Sequence, residues 1–171
     1  MSVLGLFKRK DKEDVNKFPS VHVTLDELRC AVLQFEREMG NGINRTVLMK
    51  EDNSLDLPRI ARYLGGVSDQ KFYLSRETFE IFAEEDKSIP YHLDRVQLAV
   101  DDYMNETGKL PIVEDSVYFE VDSRMLYQQH YLHELPEFKL YMTDQEMMVT
   151  HRQPVALPDV KAQEDRSYVL L

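Results

Sequence analysis

Leu93-Asp94-Arg95-Val96-Gln97-Leu98-Ala99-Val100 has a counterpart 68 residues earlier, Leu25-Asp26-Glu27-Leu28-Arg29-Cys30-Ala31-Val32, and this pairing decides the fold. The offset persists along the chain. Glu38 recurs as Glu106, Gly40 as Gly108, Tyr63-Leu64 as Tyr131-Leu132, and Tyr73 as Tyr141. Conservative pairs fill the gaps: Phe35 with Tyr103, Leu74 with Met142, Ser75 with Thr143, Phe79 with Met147 and Ile81 with Val149. Matches that fall in like helical, turn and strand contexts indicate a duplicated unit.

The pattern inside each copy is α+β. Thr24 followed by Glu27 forms a capping box, after which Leu28, Ala31, Val32, Phe35 and Met39 recur at helical spacing as one buried stripe. Gly40-Asn41-Gly42 is placed to stop that helix in the left-handed conformation. Thr46 to Lys50 reads as a short strand. Asp56 is placed to cap a second helix with Pro58 in its first turn, and Gly65-Gly66 ends it. Phe72 to Ser75 and Thr78 to Phe82 read as a hairpin around Arg76-Glu77. In the second copy, Leu93, Val96, Ala99, Val100 and Tyr103 make the helical stripe. Val117, Phe119 and Val121 alternate as a strand, Asp122 or Ser123 caps a helix running to about Glu134, and Phe138 to His151 form the second hairpin. The expected fold is therefore α+β: two tandem diverged helix–strand–helix–hairpin repeats packed as one pseudo-symmetric unit. Residues 18–86 form the first repeat and 87–154 the second. They are flanked by a leader, 1–17, and a C-terminal tail, 155–171. Leu28, Val32, Phe35, Val96, Val100 and Tyr103 should be deeply buried. A unit of about 60 residues is marginally stable alone, so the copies should pack tightly.

Bulk properties exclude more than they assign. The 171 residues are 43% hydrophobic and carry a net charge of −10. Such a surface repels a phosphate backbone, which argues against nucleic-acid binding. Cys30 is the only cysteine, so no internal disulfide forms, in keeping with a reducing compartment. No run reaches the roughly 20 apolar residues that span a bilayer. Leu4, Leu6 and Phe7 precede Lys8-Arg9-Lys10, the reverse of a secretory signal. The expected location is cytoplasmic. The same leader is the basis of a peripheral membrane reading, which Asp11, Glu13 and Asp14 oppose. The terminal Tyr168-Val169-Leu170-Leu171 reads as the end of a loose tail, with a docking peptide as the alternative.

No motif fixes a chemistry. His130 and His133, three apart on the expected helix, would offer two imidazoles to one ion, yet Glu134 follows them and no third ligand is set. Wet-side histidines are the simpler reading. His22 and His92 precede the two long helices, and His151 lies near a strand end. Glu36, Glu38, Asp101, Asp102 and Glu106 mostly fall outside the apolar stripes, as a solvated face would. Cys30, opposite Leu98 in the second copy, suggests a small apolar packing role rather than a nucleophile. Gly65-Gly66 follows a helix, whereas a phosphate loop precedes one. No catalytic, cofactor or metal residue is assigned, and no cofactor is expected.

Ala61-Arg62-Tyr63-Leu64-Gly65-Gly66 and the stretch from Phe72 to Phe82, with Ala99-Val100-Asp101-Asp102-Tyr103 and Gly108-Lys109-Leu110-Pro111, resemble small uncharacterised proteins of Bacillus-type bacteria. The resemblance runs from Val21 to Arg152 and implies a bacterial cytoplasmic setting, with no known activity. The functional expectation is a non-enzymatic binding or adaptor protein that holds a protein, peptide or small ligand in the cleft or sheet surface between the copies. The competing class is a hydrolase or metal-dependent enzyme using His130, His133 and a carboxylate.

Overall fold

A threonine and a glutamate set the first boundary. In a computed structural model that describes residues 17–155, Thr24 Oγ1 accepts the Glu27 amide at 3.2 Å and Glu27 Oε2 accepts the Thr24 amide at 2.8 Å. Two orphan donors are satisfied at once, and helix α1 (Leu25–Glu38) starts there. It buries Leu28, Ala31, Val32 and Phe35. Its end differs from expectation. Met39, in an extended conformation, caps α1 by donating to Phe35 O and Glu36 O, and the left-handed glycine, Gly42, comes three residues later.

The strand expected at Thr46 to Lys50 is instead a 3₁₀ turn, Arg45–Leu48. Asn44 Oδ1 accepts the Thr46 amide at 3.0 Å, which bends the chain into a turn and overrides the β-branched residues. A second 3₁₀ turn, Leu57–Ile60, leads into the one-turn helix α2 (Ala61–Leu64), closed by left-handed Gly65. Asp56 precedes it without a capping hydrogen bond. Strands β1 (Phe72–Leu74) and β2 (Ile81–Ala83) pair antiparallel as a hairpin.

The connection between the halves is short. A 3₁₀ turn at Glu84–Asp86 runs directly into helix α3 (Ser88–Thr107), which ends at left-handed Gly108. The strand expected at Val117, Phe119 and Val121 is reduced to single antiparallel bridges at its end, Glu120 with Tyr141 and Val121 with Ile112. Asp115 and Phe119 have positive φ, and the Glu120 amide turns back to Ser116 Oγ at 3.0 Å. Val117 and Phe119 are exposed, and only Val121 enters the core. Asp122 caps helix α4 (Ser123–Gln128) by accepting the Met125 amide at 2.9 Å. Strands β3 (Tyr141–Met142) and β4 (Val149–Thr150) form the second antiparallel hairpin. The described residues are thus α+β, with short helices and two small two-stranded sheets.

Two apolar clusters meet at β2. Ile81 packs with Leu28, Val32, Phe35, Leu48 and Ile60, whereas the next residue, Phe82, packs with Leu93, Val96, Val100, Leu126 and Leu140. Successive strand residues point to opposite faces, so β2 belongs to both cores and joins them. Five of the six residues expected to be deepest are buried. The sixth, Tyr103, is half-buried at the edge of the second cluster.

Several local geometries recur 68 residues apart. Tyr73 faces Phe82 and Leu74 faces Ile81, as Tyr141 faces Thr150 and Met142 faces Val149. The amide of Ser75 donates to Glu80 O, and that of Thr143 to Met148 O. Phe79 and Met147 both have positive φ, at 58° and 57°. Phe35 meets Tyr63 edge-on while the Tyr63 hydroxyl reaches Glu38; Tyr103 meets Tyr131 edge-on while the Tyr131 hydroxyl reaches Glu106.

Candidate functional site

Arg29 and Leu33 are four residues apart and share one face of α1. Opposite them stand Arg45 from the first 3₁₀ turn, Phe79 and Glu80 from the first hairpin turn, Ile81 from β2, and Arg152 just beyond β4. Together these seven residues line an open cleft of about 350 Å³ at the junction of the two halves. Arg45 is fixed. Glu36 Oε1 accepts its amide at 2.7 Å and its Nε at 2.9 Å, Glu36 Oε2 accepts its NH2 at 2.8 Å, and its NH1 donates to Phe79 O at 3.0 Å. Burial disfavours the Glu36 charge, but the three Arg45 contacts together outweigh it and hold the carboxyl below its ordinary range.

The other two arginines are held loosely. Arg29 NH1 meets the exposed Asp26 carboxylate at 3.1 Å. Arg152 NH2 lies 3.6 Å from Glu80 Oε1, beyond a good hydrogen bond. His151 stands behind Glu80. Its Nδ1 is 3.8 Å from Glu80 Oε2, buried and without a hydrogen-bond partner, and its ring meets Phe82 edge-on at 5.4 Å. Burial pushes the His151 pKa down, and the nearby Glu80 charge only partly opposes this. Guanidinium groups stay charged at any working pH. The cleft therefore presents three permanent cations, one carboxylate and an apolar wall of Leu33, Phe79 and Ile81.

A second cavity of about 470 Å³, lined by Glu51, Asp52, Asn53, Tyr73, Lys87, Ser88, Tyr91 and Arg95, also joins the halves. Beside it, Asp94 of α3 accepts the Ser75 hydroxyl at 2.6 Å, the Arg76 and Glu77 amides at 3.2 Å each, and Asn53 Nδ2 at 3.3 Å. One carboxylate of the second half thereby fastens the hairpin turn of the first. From the next turn of α3, the buried Gln97 fastens the second hairpin, accepting the Val149 amide at 2.7 Å and donating to Met147 O at 3.3 Å.

The residue pair weighed for metal binding is separated. Helix α4 stops at Gln128, and His130 lies past its end with φ of 66°, so His130 and His133 share no helix face. Both are exposed. The early stop follows from the local bonds: the Gln129 amide returns to Met125 O and the Tyr131 amide to Leu126 O, which wraps the chain round His130. Among the described residues no group of three or more His, Cys, Asp or Glu side chains is placed to hold a metal.

Cys30 is exposed, as is Leu98 at 53%, which corrects the packing role expected for it. His92 is buried, edge-on to Tyr91 and Phe138, while His22 is exposed. Among the acidic residues weighed, Glu38, Asp101, Asp102 and Glu106 are exposed and Glu36 is half-buried on Arg45. The basic-apolar leader and the Tyr168–Leu171 end lie outside the described residues.

Residues 18–151 match the family DUF3939, described as a protein of unknown function. The chain belongs to DUF3939. No curated protein and no solved structure matches it. The DUF3939 span takes in both hairpins and every residue lining the first cleft except Arg152. Among the described residues of this DUF3939 chain, no helix is long and apolar enough to cross a membrane.

Sequence reading missed Arg29, Arg45, Phe79 and Arg152 as a group. No spacing signal joins them, because they come from four segments brought together by packing. The one local hint was Phe79, an aromatic residue in a polar hairpin turn.

Proposed function

We propose that this protein is a non-enzymatic binding or adaptor protein, acting in the cytoplasm, and that it recognises a protein or peptide partner at the cleft between residues 18–86 and 87–154. The carrying observation is the convergence of Arg29, Arg45 and Arg152 beside the exposed Phe79 and Leu33, on a protein whose net charge is −10. Each arginine has a carboxylate close by, but those of Arg29 and Arg152 are loosely held, so two guanidinium groups remain exchangeable on an otherwise acidic protein. An aromatic residue and arginines are the side chains that most often carry binding energy at protein interfaces.

The two halves, on the same reading, are diverged copies of one unit. The matched hairpin registers, the paired left-handed Phe79 and Met147, and the paired Tyr–Glu contacts support it. So does the one place where they part. Phe82 enters the neighbouring core, whereas its counterpart Thr150 is polar and half-buried. Duplication then supplies what one unit lacks: a second core, and a seam between copies in which a site forms.

Affinity capture from the native host tests the reading, comparing the intact chain with the double variant Arg29→Glu/Arg152→Glu. A stoichiometric partner held by the first and lost from the second supports it. A partner held equally by both places the interaction elsewhere and removes the cleft from the account.

A further inference from the structure

The chemistry of the cleft narrows the partner. We infer that it takes an acidic peptide segment in which a carboxylate side chain neighbours a large apolar one, with Arg29 and Arg152 receiving the carboxylate and Phe79 the apolar group. This rests on the cleft being a binding site, as proposed above, and names what it binds.

The three arginines divide by how far they are committed. Arg45 spends Nε, NH1 and NH2 inside the protein and contributes a fixed charge. Arg29 spends one N–H on Asp26, whose side chain is 90% exposed, and Arg152 reaches Glu80 only at 3.6 Å. Ion pairs as exposed as these contribute little to stability, so exchanging them for a ligand carboxylate costs little. The planar guanidinium fork matches a carboxylate in a bidentate way that a lysine does not. Glu80 sits in the same lining and repels a dianionic phosphate more than a singly charged carboxylate. A nucleic acid, with many phosphates, meets the acidic remainder of the surface. At physiological salt, charges beyond about 8 Å are largely screened, so an acidic peptide gains by taking Arg29 and Arg152 from their partners Asp26 and Glu80, with the distant acidic surface contributing little repulsion.

The apolar half of the site is held at a cost. Phe79 has φ of 58° yet remains 41% exposed, so a bulky ring occupies a conformation that favours glycine and does not use it to fill the core. Arg45 NH1 pins its carbonyl, which fixes the ring beside the cations. Met147 is the internal control. It has the same backbone conformation and similar exposure but lies outside the cleft.

The test is fluorescence anisotropy with the full chain and labelled peptides of one length, alternating Glu with Leu, Gln with Leu, Glu with Ser, or Lys with Leu. The Glu–Leu peptide should bind best, with the other three about tenfold weaker or more, and its affinity should fall as salt rises. Arg29→Gln and Arg152→Gln should each weaken it by about tenfold. Phe79→Gly should also weaken it while leaving the thermal midpoint unchanged or raised, because glycine relieves the backbone. Met147→Gly should leave binding intact. Equal binding of Glu–Leu and Gln–Leu, indifference to the arginine variants, or preference for anionic vesicles over the peptide would overturn the inference. If none of the peptides binds but the captured partner is still lost from Arg29→Glu/Arg152→Glu, the peptide class is wrong and the cleft reading survives. Loss of neither means that both fail.

Discussion

Replacing Asp94 by alanine removes the acceptor of four hydrogen bonds from the first half: the Ser75 hydroxyl at 2.6 Å, two turn amides at 3.2 Å and Asn53 Nδ2 at 3.3 Å. The amides and Asn53 can turn to water. Ser75 cannot, since it is fully buried and its oxygen already accepts the Thr78 amide at 3.0 Å. A hydrogen bond to a charged group contributes about 1.5–3 kcal/mol, and a stranded buried hydroxyl costs about 1–3 kcal/mol. With the long bonds discounted, the expected loss is about 3 kcal/mol, or roughly 6–12 °C in Tm for a chain of this size. Asp94→Asn keeps one acceptor oxygen without the charge and should lose about half as much. The comparator is Asp26→Ala. Asp26 is the sequence counterpart of Asp94, but among the described residues its side chain meets Arg29 alone, at the surface, so its loss should stay below about 1 kcal/mol. Urea and thermal unfolding of the three variants decide the matter. If Asp94→Ala and Asp26→Ala lose the same stability, or if Asp94→Ala loses less than about 1 kcal/mol, the carboxylate is not what fastens the hairpin and the reasoning fails.

Three further outcomes follow from the same geometry. Burial lowers the pKa of His151 below its usual 6.5, so the unfolded chain takes up the proton first as pH falls. This contribution to stability is fully present above pH 6.5 and is lost as pH drops towards the lower folded value; His151→Gln should flatten that part of the urea midpoint against pH. Glu77 has the opposite imbalance for a carboxyl: burial, then the Asp94 and Asp101 charges, raise its pKa above 4.5, so ionisation costs folded-state stability at neutral pH. Glu77→Gln should therefore raise Tm at pH 7, and the gain should vanish once pH falls below about 4.5, where both states are protonated. If the halves are copies, Tyr63→Phe and Tyr131→Phe, which each remove an exposed hydroxyl contact to a glutamate, should shift the unfolding midpoint by similar small amounts; a large disparity would count against equivalence of the two contacts.

Much of the α+β architecture was legible because its signals are local. The Thr24–Glu27 box, the stripes on α1 and α3, and the glycines Gly65 and Gly108 act within a few residues of themselves. The misread segments are those where a side chain bonded to its own backbone in place of a neighbouring strand. Asn44 turned Thr46 to Leu48 into a 3₁₀ helix, and Ser116 helped to bend the run from Val117 to Phe119 out of a continuous strand, leaving single bridges at Glu120 and Val121. Alternation of apolar residues does not register such a competition. Helix α4 was overextended for a similar reason: nothing in its apolar spacing marks the turn at His130.

By itself, the sequence determined the class of the fold, five of the six residues expected to lie deepest, and the 68-residue correspondence between its two halves. Caps, stripes and left-handed stops are set by neighbours in the chain, and neighbours in the chain can be read. Only the tertiary structure decided that Asp94 fastens a hairpin while the matching Asp26 faces solvent, since the turn between β1 and β2 packs onto α3 at Asp94 whereas Asp26 meets Arg29 on the outer face of α1. Only it brought Arg29, Arg45, Phe79 and Arg152 to one cleft. Those residues converge because Ile81 and Phe82, adjacent on β2, point into different cores and lock the halves edge to edge. The cleft is a by-product of that packing, and packing between distant segments leaves no period in the chain.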